Sequence, residues 1–555
     1  MTSFLTVAAL VGFTIAAVGL VLEGVYRNAG DLRRGGFALS VVVSVVALCV
    51  GHVACPGALL LFGVIGLAGA DRAAGFGVLA GAVLALQPGG AASAGAVGAI
   101  VLSTGAGRGL ARALGLAASV ALAWSLPGFW GDVARAASAL VMWSGGGDAG
   151  RRGADAERAL VAGVASIVVL APSFTAQGSG DGAALAGVLA VSGFAGMMLG
   201  ACGAVRCDDA WRAAALLVRA SGGKALLVVA LGVLARSEDL PTIVHAAADT
   251  VSLLVAGGTL GWVALLCGLA ALLRGAGSRD LRSLGGLGRL MPRSAALLCS
   301  GILIVSSVPP LVGFSVLWLV VQIVLALPDA SPLETGAAVA VIALLGLAMT
   351  LEGLALFRLV ALIVLGRPRR PRGAAATDPA GRALVPGYAA LCAALVIGVV
   401  PGLGTRFILA AGGAARAPWL HLAGPDGASG FSPTLWVLVM FVAVVVAVWW
   451  AGVRPGQDER SLMWAQGQEP PPPWLVFGEP ETQMGAASLA AVVLDRVVCQ
   501  GVAVPARRAR LRTVRRVHRC MLRLEHGRET VTSRGGVVFV IVLAAALAML
   551  GWWPQ

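Results

Sequence analysis

"SRDLRSLGGLGRLMPRSAALLCSGILIVSSVPPLVGFSVLWLVVQ", residues 278–322, runs from a polar, arginine-bearing entry into an apolar stretch, meets two prolines, and then continues apolar. Crossing a hydrocarbon core of about 30 Å takes about 20 apolar residues. Here Pro309, Pro310 and Gly313 fall in mid-run. Proline removes a backbone donor and clashes with the preceding turn, so the helix must break at membrane depth. Freed carbonyls survive there only where protein or a water-filled cavity covers them. The stretch therefore asks for a bundle of helices packed around an interrupted one, an arrangement that marks transporters.

The rest of the chain agrees. Of its 555 residues, 58% are hydrophobic and only 12% charged, about half the charged share of a soluble protein. Apolar stretches lie at residues 4–22, 36–54, 108–125, 159–173, 182–205, 211–235, 243–273, 294–327, 336–365, 383–403, 433–451 and 535–553, and residues 56–106 hold two or three more. The expected fold is all-α: a polytopic transmembrane bundle of roughly 14–16 helices, some of them broken. "FLTVAALVGFTIAAVGL", residues 4–20, has no basic flank before it and no cleavage site after it, so it reads as a retained helix. Polar breaks divide the chain into N-terminal helices (1–150), a core (151–365), further helices (366–453), a Pro- and Arg-rich segment (454–534) and a terminal helix (535–555). The "EPPPPW" run at 469–474 favours an extended strap along a surface.

Charge gives orientation. The formal net charge of +14 gathers in a few loops, and arginine-rich loops stay on the cytoplasmic side. Arg27, Arg33 and Arg34 place the first loop inside and the N-terminus outside, and the block from Arg507 to Arg534 places residues 454–534 in the cytoplasm. That block has the charge to bind nucleic acid, but beside a membrane helix it suits lipid headgroups or an acidic partner subunit. Cys202 and Cys207 lack the companions of a zinc site. "GGK" at 222–224 is no phosphate loop, because Val218 stands where the first glycine belongs and Ala225 where Ser or Thr belongs. No cofactor or metal is expected in this chain.

Lys224 is the one lysine among 41 basic residues. An ammonium opening an apolar run is either a flank that snorkels to the headgroups or an intramembrane charge, and arginine would serve the first purpose equally well. Only lysine supplies a titratable amine. The expectation is that Lys224 sits inside the bundle within reach of Asp249 or Glu352. His245 and Asp249 lie four apart and share a helix face; a helix-end cap near Pro241 is the plainer alternative for them. Glu352 and Arg358 are six apart and face different ways.

Three strings carry a resemblance: "RDLRSLGGLGRLMP", "PPLVGF" and "LEGLALFRLVALIVLGRPR" at 351–369. In order and spacing the chain resembles the antiporter-like membrane subunits of complex I and, most closely, the B component of hydrogenase-4 and formate hydrogenlyase, over roughly residues 205–500. The resemblance implies a mid-membrane axis of charged residues that conducts protons, built here from Lys224, His245, Asp249, Glu352 and Arg358. Burial loosens an ammonium's hold on its proton, which suits lysine to such a relay. This chain also departs from the family. Arg358 stands in the late-helix lysine place and cannot release a proton. Leu317 stands where a glutamate is usual, residues 90–105 hold no carboxylate, and the first broken-helix motif is not recognisable between 165 and 200.

The resemblance thus implies a multi-pass inner-membrane subunit, beside other membrane subunits and a peripheral hydrogenase or oxidoreductase module that performs the redox chemistry. Ion translocation through the charged axis is the leading reading; a scaffold that has lost the relay and an unrelated multi-pass transporter are the alternatives. Orientation is directly testable. Alkaline phosphatase fused after Gln500 should be inactive and a fluorescent protein at the same place bright; an active phosphatase would overturn the assignment.

Overall fold

A computed structural model describes residues 155–170, 182–327, 332–405 and 419–451, with a few isolated helical positions before residue 150. The expected spans before residue 150, the segment 454–534 and the terminal helix 535–555 lie outside the described residues. Within the described residues the chain is helical, as read from sequence, apart from a small hairpin pairing β1 (Leu422–Ala423) with β2 (Gly430–Phe431). Among the described residues, six helices are long and apolar enough to cross a membrane.

The first helices pack by backbone contact. Helix α1 (Asp155–Leu170) and α2 (Gly182–Arg206) both lie against α3 (Ala210–Ser237). A Cβ on Gly193 of α2 would sit 2.7 Å from the carbonyl oxygen of Gly223, and one on Gly223 would sit 2.6 Å from that of Gly193. Only glycines allow this approach, because in a bilayer helices associate by close packing rather than by escape from water. Asp209 accepts the Arg212 N–H at 2.8 Å and caps α3, satisfying one of the orphan donors at a helix start.

Two irregular backbones meet at the centre. Helix α4 (Pro241–Leu253) passes through a π-helical turn, Leu254–Gly258, into α5 (Thr259–Ala276), making one continuous apolar span of 36 residues. Beyond a short loop containing α6 (Leu287–Leu290), α7 (Pro292–Val305) and α8 (Val312–Ala326) form the two halves of the interrupted helix. The break occupies residues 306–311, and the Pro309–Pro310 peptide is cis. Sequence alone extends the break through Gly313, whereas the helix resumes at Val312. The reason is steric: Gly313 lies so close to Ser306 that a Cβ would overlap the Ser306 carbonyl oxygen, so this glycine closes the break instead of widening it. The π turn abuts this restart, since a Cβ on Gly257 would meet Val312 at 2.7 Å.

Helix α9 (Pro332–Ile363) and, after the one-turn α10 (Pro371–Ala374), α11 (Gly381–Val399) and α12 (Pro401–Thr405) complete the packed region. Asp378, just before α11, caps α7 from a distance: it accepts Arg293 N–H at 2.9 Å, Ser294 N–H at 3.2 Å and the Ser294 hydroxyl at 2.7 Å. The hairpin seats Phe431 on α8, 5.2 Å from Phe314 and 5.8 Å from Trp318 between ring centroids. The last described helix, α13 (Pro433–Ala451), presents apolar side chains nearly all round, with Trp449 82% exposed.

Arginines gather at one end of the helices. There the loops after α5 and α9 are joined by backbone bonds, Gly286 N–H to Leu365 O at 2.8 Å and Gly288 N–H to Val364 O at 3.0 Å. They bring Arg279, Arg282, Arg289 and Arg293 beside Arg367, Arg369, Arg370 and Arg372. The opposite end carries Arg236 with Glu238, Asp239 and Asp426 among the described residues.

The glycine contact sets the first test. Gly193→Val should push α2 from α3 and destabilise the protein by roughly 1–3 kcal/mol, as overpacking does. Thermal unfolding in detergent measures this; an unchanged midpoint would show that the helices can part without cost.

Candidate functional site

Lys224 is the fifteenth residue of the 28-residue helix α3, which puts it about 20 Å from either helix end. Its ammonium meets Glu352 of α9, with Nζ 2.6 Å from Oε2 and the two side chains only 8% and 9% exposed. Lys224, Glu352 and Arg358 are the buried charged residues among those described. Two further contacts complete the setting of the pair. Lys224 Nζ lies 3.7 Å from Met349 Sδ, and the Ser307 hydroxyl, inside the proline break, donates to the same sulfur at 3.3 Å. The pair, the thioether and the break thus form one connected group.

The arrangement is poised rather than saturated. Glu352 Oε1 is buried and has no hydrogen-bond partner. An unsatisfied buried oxygen costs about 1–3 kcal/mol, more when charged, and removing two charges from water costs several kcal/mol per ion. A pair built only for stability would do better as two packed apolar residues. Intramembrane ionisable groups that remain at such cost are candidates for a functional site.

Arg358 has a different task. Nη1 donates to Val205 O at 2.6 Å and Cys207 O at 2.7 Å, and Nη2 meets Asp208 Oδ1 at 3.0 Å. A guanidinium at the C-terminus of α2 satisfies carbonyls that the helix leaves free and answers its dipole. Asp208 also pairs with Arg282 of the loop after α5, so this clamp ties the α2–α3 connection to α9 and to the arginine-rich loops. Burial raises the pKa of the Cys207 thiol in that connection, which keeps it protonated and unreactive at neutral pH.

The structure therefore brings Lys224 and Glu352 together and turns Arg358 to the α2–α3 connection. His245, half-buried, and Asp249 lie on α4, a helix that packs on α3 as well as on α8 and α12. Pro309 and Pro310 sit in the break, with Gly313 one residue inside α8. Sequence reasoning missed Ser307 and Met349, whose role comes from packing; the serines before "VPP" were the available signal. It also missed Asp208 and Asp378, both of which hold helix ends. Among the described residues no three His, Cys, Asp or Glu side chains cluster as a metal would require.

With this geometry in hand, comparison with known proteins bears on the fold. No family model matches the sequence, and no curated protein does. Solved structures do match. The chain is similar over 99% of its length to 99% of a chain from the membrane-bound sulfane sulfur reductase, an archaeal respiratory membrane complex, with a TM-score of 0.67 and 14% identity. At that identity the likeness shows the fold: a polytopic bundle of membrane helices. The chain is also similar over its full length to a chain of the Mrp complex from Dietzia sp. DQ12-45-1b, with a TM-score of 0.55 and 15% identity, and spans 63% of that longer chain. In this shared fold the Lys224–Glu352 pair is held between α3 and α9, beside the proline break.

The clamp can be separated from the pair by mutation. Arg358→Ala should leave the carbonyls of Val205 and Cys207 without a donor, lower stability by roughly 1–3 kcal/mol, and loosen the α2–α3 connection. Peptide-resolved alkylation would then show Cys207 reacting faster than in wild type; an unchanged rate would mean the clamp is dispensable.

Proposed function

We propose that this chain is the ion-conducting membrane subunit of an oxidoreductase complex of the hydrogenase-4 or complex I kind, with Lys224 and Glu352 as its titratable centre. The observation that carries the reading is the buried 2.6 Å ion pair at mid-span beside an interrupted helix. Three further points support it. The strings at 278–369 resemble the hydrogenase-4 B component, the fold is shared with a chain of a respiratory membrane complex, and the one lysine of the sequence is the residue that is paired. In this reading, other membrane subunits flank the chain and a peripheral oxidoreductase module drives it. The arginine-rich end faces the cytoplasm, as positive loops do.

The chemistry follows from the pair. With the pair closed, carboxylate and ammonium stabilise each other in a medium of low dielectric. Separating them leaves the ammonium without its counter-charge, so its proton passes on, and reclosing follows reprotonation. The proton leaves to a group other than Glu352, whose second oxygen, Oε1, is open to a partner of its own. Arg358 holds the bundle and takes no part in transfer, because guanidinium keeps its proton.

The scaffold reading has one observation in its favour: the residue in the late-helix lysine place is Arg358, and it is engaged with backbone carbonyls. Proton uptake by vesicles carrying the whole complex separates the two readings. Lys224→Arg and Glu352→Gln, compared at equal assembly, should each slow uptake by about tenfold or more, equivalent to about 1.4 kcal/mol in the barrier. Uptake equal to wild type in both variants would favour the scaffold.

A further inference from the structure

We infer that the arginine-rich end of the bundle is a binding site for an anionic phospholipid. Its phosphate sits among Arg289, Arg367 and Arg370, with Arg279 and Arg293 beside them, and its acyl chains lie along the last two turns of α9.

Loops that only orient a membrane chain need charge and no fixed shape. Here the two loops are fixed to each other. Besides the backbone bonds from Gly286 and Gly288 to the end of α9, Arg369 Nη1 donates to Arg282 O at 3.1 Å. Arg372 is laid so closely over Gly277 that a Cβ there would overlap its guanidinium. A Cβ on Gly285 would meet Arg367 O at 2.5 Å, so the main chains themselves touch. Cations on two separate loops are thereby held near one another, and like charges so placed repel unless an anion joins them.

The carboxylates on these loops and on the adjoining α2–α3 connection are already engaged. Asp208 bonds Arg282 and Arg358, and Asp209 caps α3. Asp280 accepts Arg282 N–H at 3.0 Å, and Asp378 holds the start of α7. Arg279, Arg289, Arg293, Arg367 and Arg370 are exposed and form no ion pair with a described residue. Their counter-charge must come from outside this part of the chain.

The apolar surface next to the arginines decides what kind of anion that is. Phe357 on α9 and Leu365 just past its end are 65% and 56% exposed, and Leu365 lies two residues before Arg367. A free phosphate or an acidic protein segment would meet the guanidinium groups and leave this flank bare. A lipid meets both: its phosphate oxygens accept from the guanidinium forks, and its chains cover Phe357 and Leu365. Basic pockets between membrane helices take anionic headgroups in this way.

Lipid retention tests the site. The full-length chain, reconstituted in vesicles of equal parts phosphatidylcholine and phosphatidylglycerol and re-extracted in mild detergent, should keep phosphatidylglycerol severalfold in excess, read by mass spectrometry. Arg289→Gln, Arg367→Gln and Arg370→Gln combined should bring the two lipids to parity, with the unfolding midpoint in phosphatidylcholine alone unchanged. The same three positions changed Arg→Lys should keep most of the excess, because the attraction is one of charge. Should the Arg→Gln combination fail to fold, displacement from the wild type decides. Glycerol phosphate, the headgroup without its chains, and polyglutamate, each at the concentration of the lipid, should leave the excess in place. Equal retention of both lipids by the wild type would overturn the inference, as would an excess that survives the Arg→Gln combination. Displacement by glycerol phosphate would assign the site to a soluble phosphate and displacement by polyglutamate to an acidic protein segment, and either would overturn the lipid assignment.

Discussion

An ammonium halfway along a membrane helix has roughly 15 Å of hydrocarbon between it and water on either side, so its counter-charge must come from within the protein. In this chain that requirement falls on Glu352, 128 positions further along. The bundle is organised to deliver it. Helices α2 and α3 touch through glycines, α9 lies across them, and the Arg358 clamp fixes the far part of α9 against the α2–α3 connection. Shift α9 by one turn, about 5.4 Å, and the ion pair and the clamp would both be lost. The two contacts, one at mid-span and one near the arginine-rich end, define the register of that helix between them.

The irregular backbone follows from the same need. A regular helix satisfies its own polar groups and offers none to a neighbour. The proline break and the π turn each release that constraint, and they do so face to face, where Gly257 meets Val312. Ser307 enters the site from the break, and Trp262, just after the π turn, lines the space beside Lys224. Two interruptions of the hydrogen-bond ladder thus lie beside the one buried lysine.

Much of this was legible from the residues alone, for identifiable reasons. Apolar run lengths placed the described helices to within a few residues, because the bilayer imposes them. Pro309 and Pro310 announced the break because proline cannot do otherwise. The singularity of Lys224 pointed to its burial. The choice of Glu352 over Asp249 was not legible, since both are acids in apolar runs and only helix packing decides between them. Arg358 was legible as a fixed charge; its partners were not, because backbone carbonyls of Val205 and Cys207 leave no mark in a sequence. The π turn likewise hides in "LVAGG", residues 254–258, where the glycines permit close packing without specifying it.

The backbone contact between Gly193 and Gly223 has a consequence for motion. Gly223 immediately precedes Lys224, so the lysine is mounted on a helix that can neither roll nor slide without driving main chain into main chain. Helix α9 is held differently: its outer side, including Val339, Leu347 and Phe357, is open, and nothing lies within 4 Å of a Cβ built on Gly346 or Gly353. In the reading proposed above, lysine would be the stator of the pair and glutamate the armature: a stroke that parts them would be a tilt of α9 about its Arg358 anchor, six residues beyond Glu352, driven by a subunit leaning on the open side of α9.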